Sequence, residues 1–518
     1  MTSLRRPRRA RLIAVCVAAL TALPLAAAAG VSASPLPQRA PSPAGDGKEL
    51  LRERTFPLVA DQFRTLCTPA PFGAPREHTF EFFDDLRVTA VEEGTDDDQG
   101  TLTWSGHVKD RPETSVVLSM RGVCVADRTP PGPVVVEVLA DLGERVYHLE
   151  TLAGQPPRLR ATEEDPDHRP RRAPDQPATD PASASAMRRN LQGRIEATVE
   201  NPVIIDVIAG YTPKAVTEAG GEQQVINTIH WAERKMNEAL ADSNIPASID
   251  ILGTYNTEYR GDNTSSVMHA KMNNPQDAAL GATAADLRRR YGVDLLTIVN
   301  KVDPGQSSGQ GNLPERGIFN SKDAYSVVDF DSLTGWYNLG HELGHNLGLW
   351  HDRRTLNHQI PDGSWMNSLN TPYGTGWITP NEEHHTLMAY ASSCFKQCSA
   401  VNQYSNTENT VNGQPLGDAN NNNAGLARLS TPIVAGYRTL VTAKTRHALT
   451  LSSTEGGTVR PAVFGPYKPG TVVGVTARPQ TGYRLVAWLF DGVQYDPRTQ
   501  INVTMDRAHT LRGVFLPA

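Results

Sequence analysis

The stretch His341-Glu342-Leu343-Gly344-His345-Asn346-Leu347-Gly348-Leu349-Trp350-His351 decides the fold of the central part of the chain. On an α-helix, residues four apart lie on one face with their Cβ atoms about 5–6 Å apart, so His341 and His345 can approach one ion. Gly348 accepts a positive φ, at which a helix can end and the chain can turn sharply. That turn brings His351 back towards the first two histidines. The spacing therefore predicts a helix that ends near Gly348 and three imidazoles that converge.

Three converging imidazoles predict a catalytic metal site. Histidine nitrogens suit Zn²⁺, and three protein ligands leave a fourth position for water. Glu342 lies beside the first ligand, where its carboxylate can accept a proton from that water and later pass it to a leaving amine. We therefore expect one catalytic Zn²⁺ bound by His341, His345 and His351, with Glu342 as the catalytic base.

A second motif, Thr386-Leu387-Met388-Ala389-Tyr390, follows after a loop-rich stretch. An extended motif of three histidines, followed by a methionine turn such as the one at Met388, resembles the metzincin superfamily of zinc peptidases. The resemblance implies that Met388 forms an apolar floor beneath the histidines. It leaves two readings of Tyr390, either as a distant ligand or hydrogen-bond donor to the reaction's oxyanion, or as a buried packing residue.

Within that superfamily the chain resembles the reprolysin/adamalysin branch over residues 201–440. Asp352 directly follows His351, and Ile205-Asp206-Val207 precedes Tyr211-Thr212-Pro213, as in that branch. The resemblance implies a metzincin-type α/β (α+β) catalytic domain, with a mixed twisted sheet and an active-site helix, that hydrolyses peptide bonds. This region has only two cysteines and no disintegrin-like cysteine-rich segment follows it, so shedding and integrin binding are not expected.

Hydrophobic periodicity supports an α/β reading of the same region. Alternating strand and helix patterns imply a layered α/β architecture. Strands are predicted at 203–209, 248–255, 293–300 and, as an edge strand, 324–331; helices are predicted at 222–241, 277–291 and 423–439.

The 518 residues are too many for one ordinary domain. Short alternating strands before residue 162 predict a β-rich region that resembles the propeptides of secreted metallopeptidases. The C-terminal part, from Gly456-Gly457-Thr458-Val459 to Val503-Thr504-Met505-Asp506, resembles a bacterial internalin B-type repeat. The predicted organisation is a signal peptide at 1–33, a propeptide at 34–162, a flexible linker at 163–200, a catalytic domain at 201–440 and a β-repeat module at 441–518.

The N-terminal segment predicts export. Five arginines between Arg5 and Arg11 precede an apolar, Ala-rich run from Leu12 to Ala29, followed by small residues. A membrane anchor is the alternative, but Pro24 interrupts the run. We expect a secreted, extracellular protein without a membrane segment after signal removal. The paired arginines leave open Sec and twin-arginine export.

Charge and cysteine content limit the partners. A net charge of -6 gives no electrostatic basis for binding nucleic acid or an anionic membrane. Protein or peptide substrates are expected, and the C-terminal module offers a cell-surface or polymer contact. The cysteines of an exported chain predict two disulfides, Cys67 with Cys124 and Cys394 with Cys398. The alternative places Cys124 or Cys67 on the metal as a latency switch, and a third reading has the propeptide block the cleft sterically.

Three further features of the sequence are the basic pairs of the linker, a histidine pair and an Asn-rich run. Basic pairs in the linker, Arg171-Arg172 and Arg188-Arg189, predict proteolytic activation of a zymogen. His384 and His385 could line the cleft, but a histidine pair on a loop is usually solvated, so they are left out of the metal set. The run from Asp418 to Asn423 predicts an Asn-rich turn, because it lacks the carboxylates of a recognised Ca²⁺ loop and so leaves a Ca²⁺ ion unsupported.

The sequence as a whole predicts a secreted zinc-dependent endopeptidase that hydrolyses extracellular proteins. The alternative is an extracellular adhesion or binding protein with a vestigial peptidase domain, and a further rival is a zinc amidase or deacetylase acting on cell-wall material. Glu342 and the complete set of histidines favour the peptidase.

Overall fold

A computed structural model describes residues 49–68, 72–98, 100–124, 134–152, 156–165, 175, 196–303, 305–334, 337–396 and 398–518. The predicted signal peptide and the basic pairs of the linker lie outside these residues. Over the described part of the chain, no helix has both the length and the apolar character needed to cross a membrane.

An antiparallel sheet occupies the region before the linker, in the order β1-β8-β7-β6-β5-β4-β3, with β2 also paired to β3. Alternating side chains such as Phe82, Trp104 and Leu118 are fully buried and form its core. The 3-10 helix Ala60–Cys67 covers this core, and a disulfide joins Cys67 to Cys124. The strands are β1 Glu49–Pro57, β2 Glu77–Phe83, β3 Leu86–Asp98, β4 Thr101–Val108, β5 Arg111–Arg121, β6 Val135–Asp141, β7 Val146–Leu152 and β8 Arg158–Asp165.

A second sheet forms the centre of the following domain, in the order β10-β9-β11-β13-β12. Its strands are β9 Val203–Tyr211, β10 Ala247–Asn256, β11 Leu295–Asn300, β12 Gly309–Gly311 and β13 Tyr325–Asp329. The first four strands in that order run parallel, and β12 pairs antiparallel to β13. The prediction that 324–331 is an edge strand is therefore wrong. The actual edge is the segment Gly309-Gln310-Gly311, which is too short and too rich in glycine to show strand periodicity.

Helices cover both faces of this sheet. Ile205 and Val207 of β9 pack with the residues of α2 and α6, whereas Ile208 packs with α3 and α4 on the other face. The helices are α1 Pro213–Ala219, α2 Glu222–Asp242, α3 Ser265–Met272, α4 Gly281–Tyr291, α5 Phe330–Leu333, α6 Asn338–Asn346, α7 Arg353–Gln359 and α8 Asn423–Val434. The predicted mixed α/β fold class is confirmed.

Two helix predictions need correction at their ends. The helix predicted from residue 277 begins at Gly281, because the Asp277 carboxylate accepts the N–H groups of Ala279 and Leu280 in the preceding turn. The helix predicted to residue 439 ends at Val434, soon after Pro432. The loop-rich stretch between His351 and Asn422 contains α7 and the 3-10 helices Ser364–Asn367 and Ala391–Ser393.

Four two-residue strands also lie in that stretch. They are β14 His384–His385, β15 Ser399–Ala400, β16 Thr410–Val411 and β17 Gln414–Pro415. Between β14 and β15 a second disulfide joins Cys394 to Cys398. Both predicted cysteine pairs are therefore present in the structure.

The C-terminal module consists of β18 Leu449–Ser453, β19 Gly457–Pro461, β20 Val472–Pro479, β21 Tyr483–Phe490, β22 Val493–Tyr495, β23 Gln500–Thr504 and β24 His509–Pro517. Trp488 is fully buried in its core and donates Nε1–H to the carbonyl of Arg498 at 2.8 Å. Strand β20 also pairs with β3 through Val472 and Val473, so the N-terminal sheet continues into the module.

The N-terminal sheet also packs against helix α2 of the central domain. Val117, Leu139 and Val146 belong to the same buried cluster as the apolar face of α2. Two polar contacts reinforce this packing: Lys235 Nζ donates to Ser115 Oγ at 2.8 Å, and the Tyr337 hydroxyl donates to Asp141 at 2.8 Å. The sheet is thus held to the domain that carries the histidine motif.

Candidate metal centre and active site

Helix α6 carries the first two motif histidines, and every residue of the helix is buried. It ends where Gly348 adopts a φ of +81°. A Cβ atom at Gly348 would lie 2.7 Å from Phe319 Cζ, so both backbone strain and lack of space select glycine there. The turn places His351 against His341 and His345, as the spacing predicts.

The three histidines converge through their Nε2 atoms. His351 Nε2 lies 3.3 Å from His341 Nε2 and 3.0 Å from His345 Nε2. Ligand atoms about 2.0–2.1 Å from a tetrahedral zinc ion lie about 3.3 Å from one another. The observed spacing therefore fits a single ion of that size.

The remaining ring nitrogens fix the tautomer of each imidazole. Nδ1 of His341 donates to the carbonyl of Leu387 at 2.7 Å, and Nδ1 of His345 donates to the carbonyl of Leu349 at 2.9 Å. A carbonyl oxygen only accepts, so Nδ1 carries the hydrogen and Nε2 presents a lone pair. His351 Nδ1 lies 3.1 Å from Gln359 Oε1, which plays the same part. Three lone pairs facing one another in a buried site require a cation between them.

Burial shifts the pKa values of His345 and Glu342 in opposite directions. It lowers the pKa of His345 to about 4, which favours the neutral ring that binds a metal. Burial also raises the pKa of Glu342 well above its usual range, and the neighbouring charge of Asp175 adds to that rise. Both Glu342 oxygens are buried without a hydrogen-bond partner among the described residues. A carboxylate in that state is ready to accept a proton.

Glycines let two other elements approach α6 closely. A Cβ atom at Gly309 of β12 would lie 2.3 Å from Glu342 Oε1, so a side chain there would displace the carboxylate. A Cβ atom at Gly344 would lie 2.7 Å from the Met388 sulfur. Met388 is fully buried beneath the helix, in the position predicted for an apolar floor.

Asp352 joins the motif to the segment around Met388. Its carboxylate caps α7 by accepting Thr355 N–H at 2.9 Å and accepts the backbone N–H of Tyr390 at 3.4 Å. The backbone N–H of Asp352 donates to the Met388 carbonyl at 3.2 Å. The Asp352 carboxylate therefore fixes both the start of α7 and the backbone of Tyr390.

Tyr390 lies at the metal site. Its hydroxyl oxygen is 3.3 Å from His341 Nε2, and its ring packs edge-on against His341 and His351. Burial, together with the charges of Asp175 and Glu342, raises the pKa of Tyr390 well above its usual range, so the hydroxyl stays a donor. The structure therefore places the Tyr390 hydroxyl beside the metal position, as the first of the two predicted roles requires.

Asp175 is a site residue that the sequence did not reveal. Its carboxylate joins the three histidines in a cluster whose ligand atoms lie within 4.8 Å of one another. The linker around it is rich in proline, alanine, arginine and aspartate, and nothing in its spacing distinguishes this aspartate from others nearby. The prediction that the linker is merely flexible is wrong at Asp175, which is only 1% exposed.

His385 was expected to be solvated, and that expectation is also wrong. It is 4% exposed, because β14 pairs with β15 and places the ring in a pocket beside His341. Its Nδ1–H donates to the Thr386 carbonyl at 3.1 Å, and Nε2 has no partner among the described residues. The neighbouring His384 is only half-buried and contacts Asn412 instead.

The Asn-rich turn is stabilised by its own side chains. Asp418 accepts the N–H of Asn420 and the amide of Asn421, each at 2.8 Å. Asn422 caps α8 through Gly425 N–H at 2.8 Å. These contacts account for the turn without a cation, and a Ca²⁺ ion there has no support.

A mixed α/β domain with this histidine cluster, and with a glutamate and a methionine placed around it, defines the class of metallopeptidases. Comparison with known families makes the assignment specific. Residues 201–406 match the reprolysin-type model of metallo-peptidase family M12. Residues 447–518 match the divergent InlB B-repeat domain. Both resemblances predicted from the sequence are confirmed.

The chain is similar to curated proteins that are named as metalloendopeptidases. A Peptidyl-Asp metalloendopeptidase of Xanthomonas campestris pv. campestris is 26% identical over 77% of this chain and 93% of the relative. Two proteins of the same name from Stenotrophomonas maltophilia strains K279a and R551-3 are 28% and 26% identical, each over 44% of this chain. The chain spans about half the length of the two Stenotrophomonas relatives, 51% in each case.

Replacing Asp352 by alanine should weaken the metal centre without removing a ligand. The change deletes a helix cap, which costs about 0.5–2 kcal/mol of stability, and also loosens Tyr390. We expect a lower unfolding midpoint in urea and faster loss of metal to a chelator. The matched control is Asp362→Ala, because Asp362 accepts Ser364 N–H at 2.9 Å in a similar local turn away from the histidines. Equal rates of metal loss in the two variants would show that Asp352 does not support the site.

Proposed function

We propose that the protein is a secreted zinc-dependent endopeptidase that hydrolyses internal peptide bonds of extracellular proteins. The observation that carries this proposal is the convergence of three histidine lone pairs beside a buried carboxylate, Glu342, that has no hydrogen-bond partner among the described residues. His341, His345 and His351 would hold the ion.

A zinc ion held by these histidines would supply polarisation of the scissile carbonyl and a lowered pKa of water. Glu342 accepts the proton of the attacking water and then delivers it to the nitrogen of the leaving amine. The Tyr390 hydroxyl donates a hydrogen bond to the oxygen of the attacked carbonyl, where negative charge develops. Asp352 holds that tyrosine through its backbone N–H.

Replacing Glu342 by glutamine should abolish hydrolysis and leave the metal bound. The amide cannot accept the proton, and loss of a general base lowers rates by about 10²–10⁴-fold. Metal content by elemental analysis and casein hydrolysis with and without chelator measure the two effects. The parent chain and Glu342→Gln are each assayed before and after limited tryptic cleavage of the linker.

The control for that experiment is Glu200→Gln, which changes an exposed glutamate directly before the same domain. Normal casein hydrolysis by Glu342→Gln would contradict the mechanism. If the parent chain, the control and Glu342→Gln all lacked chelator-sensitive hydrolysis, the reading as a binding protein with a vestigial peptidase domain would replace the proposal.

The substrate class we propose is peptide bonds next to aspartate. The three relatives are named for action at peptidyl-Asp. A pocket beside His341 is lined by small and polar residues, including Ser308, Asn338 and Ser392, and its described lining contains no carboxylate. His385 borders the pocket with the unpartnered Nε2 described above. An aspartate carboxylate that enters would favour protonation of His385 at Nε2 and would accept the charge-assisted hydrogen bond that this N–H donates.

Replacing His385 by leucine should remove the preference for aspartate. Hydrogen bonds to charged groups contribute about 1.5–3 kcal/mol, so we expect the ratio of kcat/KM for paired Asp and Asn peptides to fall by about tenfold or more. His385→Gln keeps an N–H donor and should retain part of the preference. The control is His384→Leu, which changes the adjacent ring, outside the pocket. An unchanged ratio in His385→Leu would mean that aspartate is selected elsewhere.

Export and maturation form the last part of the proposal. The positive, apolar and small residues of 1–33 support export, and the basic pairs of the linker support removal of the preceding region. N-terminal sequencing of protein from culture medium should give a start in the linker or at the catalytic domain. A start at Met1, or absence from the medium, would contradict this part alone.

A further inference from the structure

Asp175 makes direct contact with all three histidine nitrogens that face the metal position. Its Oδ1 lies 2.9 Å from His351 Nε2 and 3.5 Å from His341 Nε2, and its Oδ2 lies 3.2 Å from His345 Nε2. These distances match the roughly 3.3 Å that separates ligands of one tetrahedral zinc ion. The carboxylate therefore occupies the fourth position of the cluster.

Two further side chains hold Asp175 in place. Gln359 donates from Nε2 to the Asp175 carbonyl at 2.5 Å, and the same amide accepts from His351 through Oε1. The Tyr390 hydroxyl donates to Asp175 Oδ1 and accepts the backbone N–H of Asp175 at 3.2 Å. Main chain and side chain are thus both fixed, which an incidental contact of a linker residue would not require.

The burial of this carboxylate needs a compensating cation. Asp175 Oδ2 has no hydrogen-bond partner among the described residues, although the residue is almost fully buried. The Nδ1 hydrogens of His341 and His345 point away to carbonyl groups, so the nitrogens facing Asp175 carry lone pairs. A buried negative charge facing lone pairs is unfavourable unless a metal ion lies between them.

The alternative of a cysteine on the metal is excluded by the disulfide between Cys67 and Cys124. Neither sulfur remains a thiolate ligand. The sequence alone leaves two candidate mechanisms of latency, a cysteine thiolate on the metal and a steric block. The structure instead places a carboxylate at the metal position, and carboxylates are also zinc ligands.

We propose that Asp175 is the fourth metal ligand of the uncleaved chain and keeps the peptidase latent. The inference rests on the proposed function, because it requires the catalytic metal. Asp175 fills the position that water and the substrate carbonyl need, and it engages the Tyr390 hydroxyl that would otherwise face the substrate. Because the N-terminal sheet packs against α2, it keeps the effective concentration of the Asp175 carboxylate at the metal site high.

The position of Asp175 in the sequence distinguishes the two basic pairs of the linker. Cleavage after Arg189 separates Asp175 from the catalytic domain, whereas cleavage after Arg172 leaves it attached. Activation therefore requires cleavage on the C-terminal side of Asp175. A chain cut only after Arg172 should keep the metal as slowly exchanging as the uncleaved chain does.

The test compares Asp175→Asn with a matched change, Asp180→Asn, five residues further along the same stretch. Both are made in the full chain that also carries Glu342→Gln, so that the protein cannot cleave itself. The readouts are the visible spectrum of the Co²⁺-loaded chain and the rate of Zn²⁺ transfer to a chromogenic chelator. Losing even an outer partner of a ligand typically weakens metal binding about 10–100-fold. We expect Asp175→Asn to speed transfer by about tenfold or more and to change the spectrum, and Asp180→Asn to do neither.

A milder variant guards against misfolding. Tyr390→Phe leaves the carboxylate in place but removes the hydroxyl that holds it, so it should speed transfer by less than Asp175→Asn does. The inference is overturned if Asp175→Asn matches Asp180→Asn in both spectrum and transfer rate.

Hydrolysis of a quenched peptide by chains with Glu342 intact separates this inference from the proposed function. We expect the uncleaved Asp175→Asn chain to hydrolyse the peptide while the uncleaved parent does not. If Asp175→Asn speeds Zn²⁺ transfer but no hydrolysis occurs even after linker cleavage, the proposed function is overturned and the ligand assignment stands. If the cleaved chain hydrolyses the peptide but Asp175→Asn leaves the rate of Zn²⁺ transfer unchanged, the latency proposal is overturned and the proposed function stands.

Discussion

Each histidine at the candidate metal site must keep its hydrogen on Nδ1, and this requirement determines how the surrounding loops run. The His341 ring donates to Leu387, at the segment around Met388, and the His345 ring donates to Leu349, in the turn after the helix. The His351 ring contacts Gln359 at the end of α7. Three rings are therefore fixed by three different segments. The site exists only once all three have packed around α6, which links metal binding to the folding of this half of the domain.

Close packing imposes a second constraint on the same helix. Glu342 has space because Gly309 presents no side chain, and Met388 reaches the helix because Gly344 presents none. The substrate-facing carboxylate and the apolar floor thus lie on opposite sides of a helix with little room to adjust. An added methyl group at either glycine would move a group that the chemistry needs, since buried interiors seldom absorb extra volume without strain.

The sequence predicts the parts of this protein that depend on local spacing. Positions four apart on a helix determine His341 and His345, a left-handed glycine returns His351, and period-two and period-3.6 patterns outline the mixed α/β fold. It could not predict β12, because three residues with two glycines carry no periodicity. His385 became buried through a two-residue pairing with residues fifteen positions away, and Asp175 through contacts more than 160 residues away in sequence. Such contacts are decided by tertiary packing, and one chain's residue types do not encode them locally.

Among the described residues, the N-terminal sheet and Asp175 both contact the peptidase domain, and the two contacts differ in kind. The sheet packs on α2 through Val117, Leu139 and Val146, an apolar contact that does not depend on metal. Asp175 contacts the histidines through one carboxylate, whose burial is favourable only with a cation beside it. The first contact supplies affinity without touching the reacting groups, and the second blocks those groups with a single side chain. A break in the chain between Asp175 and the domain converts the block from an intramolecular contact into an intermolecular one, in which the apolar contact alone holds the released region. Latency in such an arrangement depends on chain continuity more than on the strength of the metal–carboxylate bond.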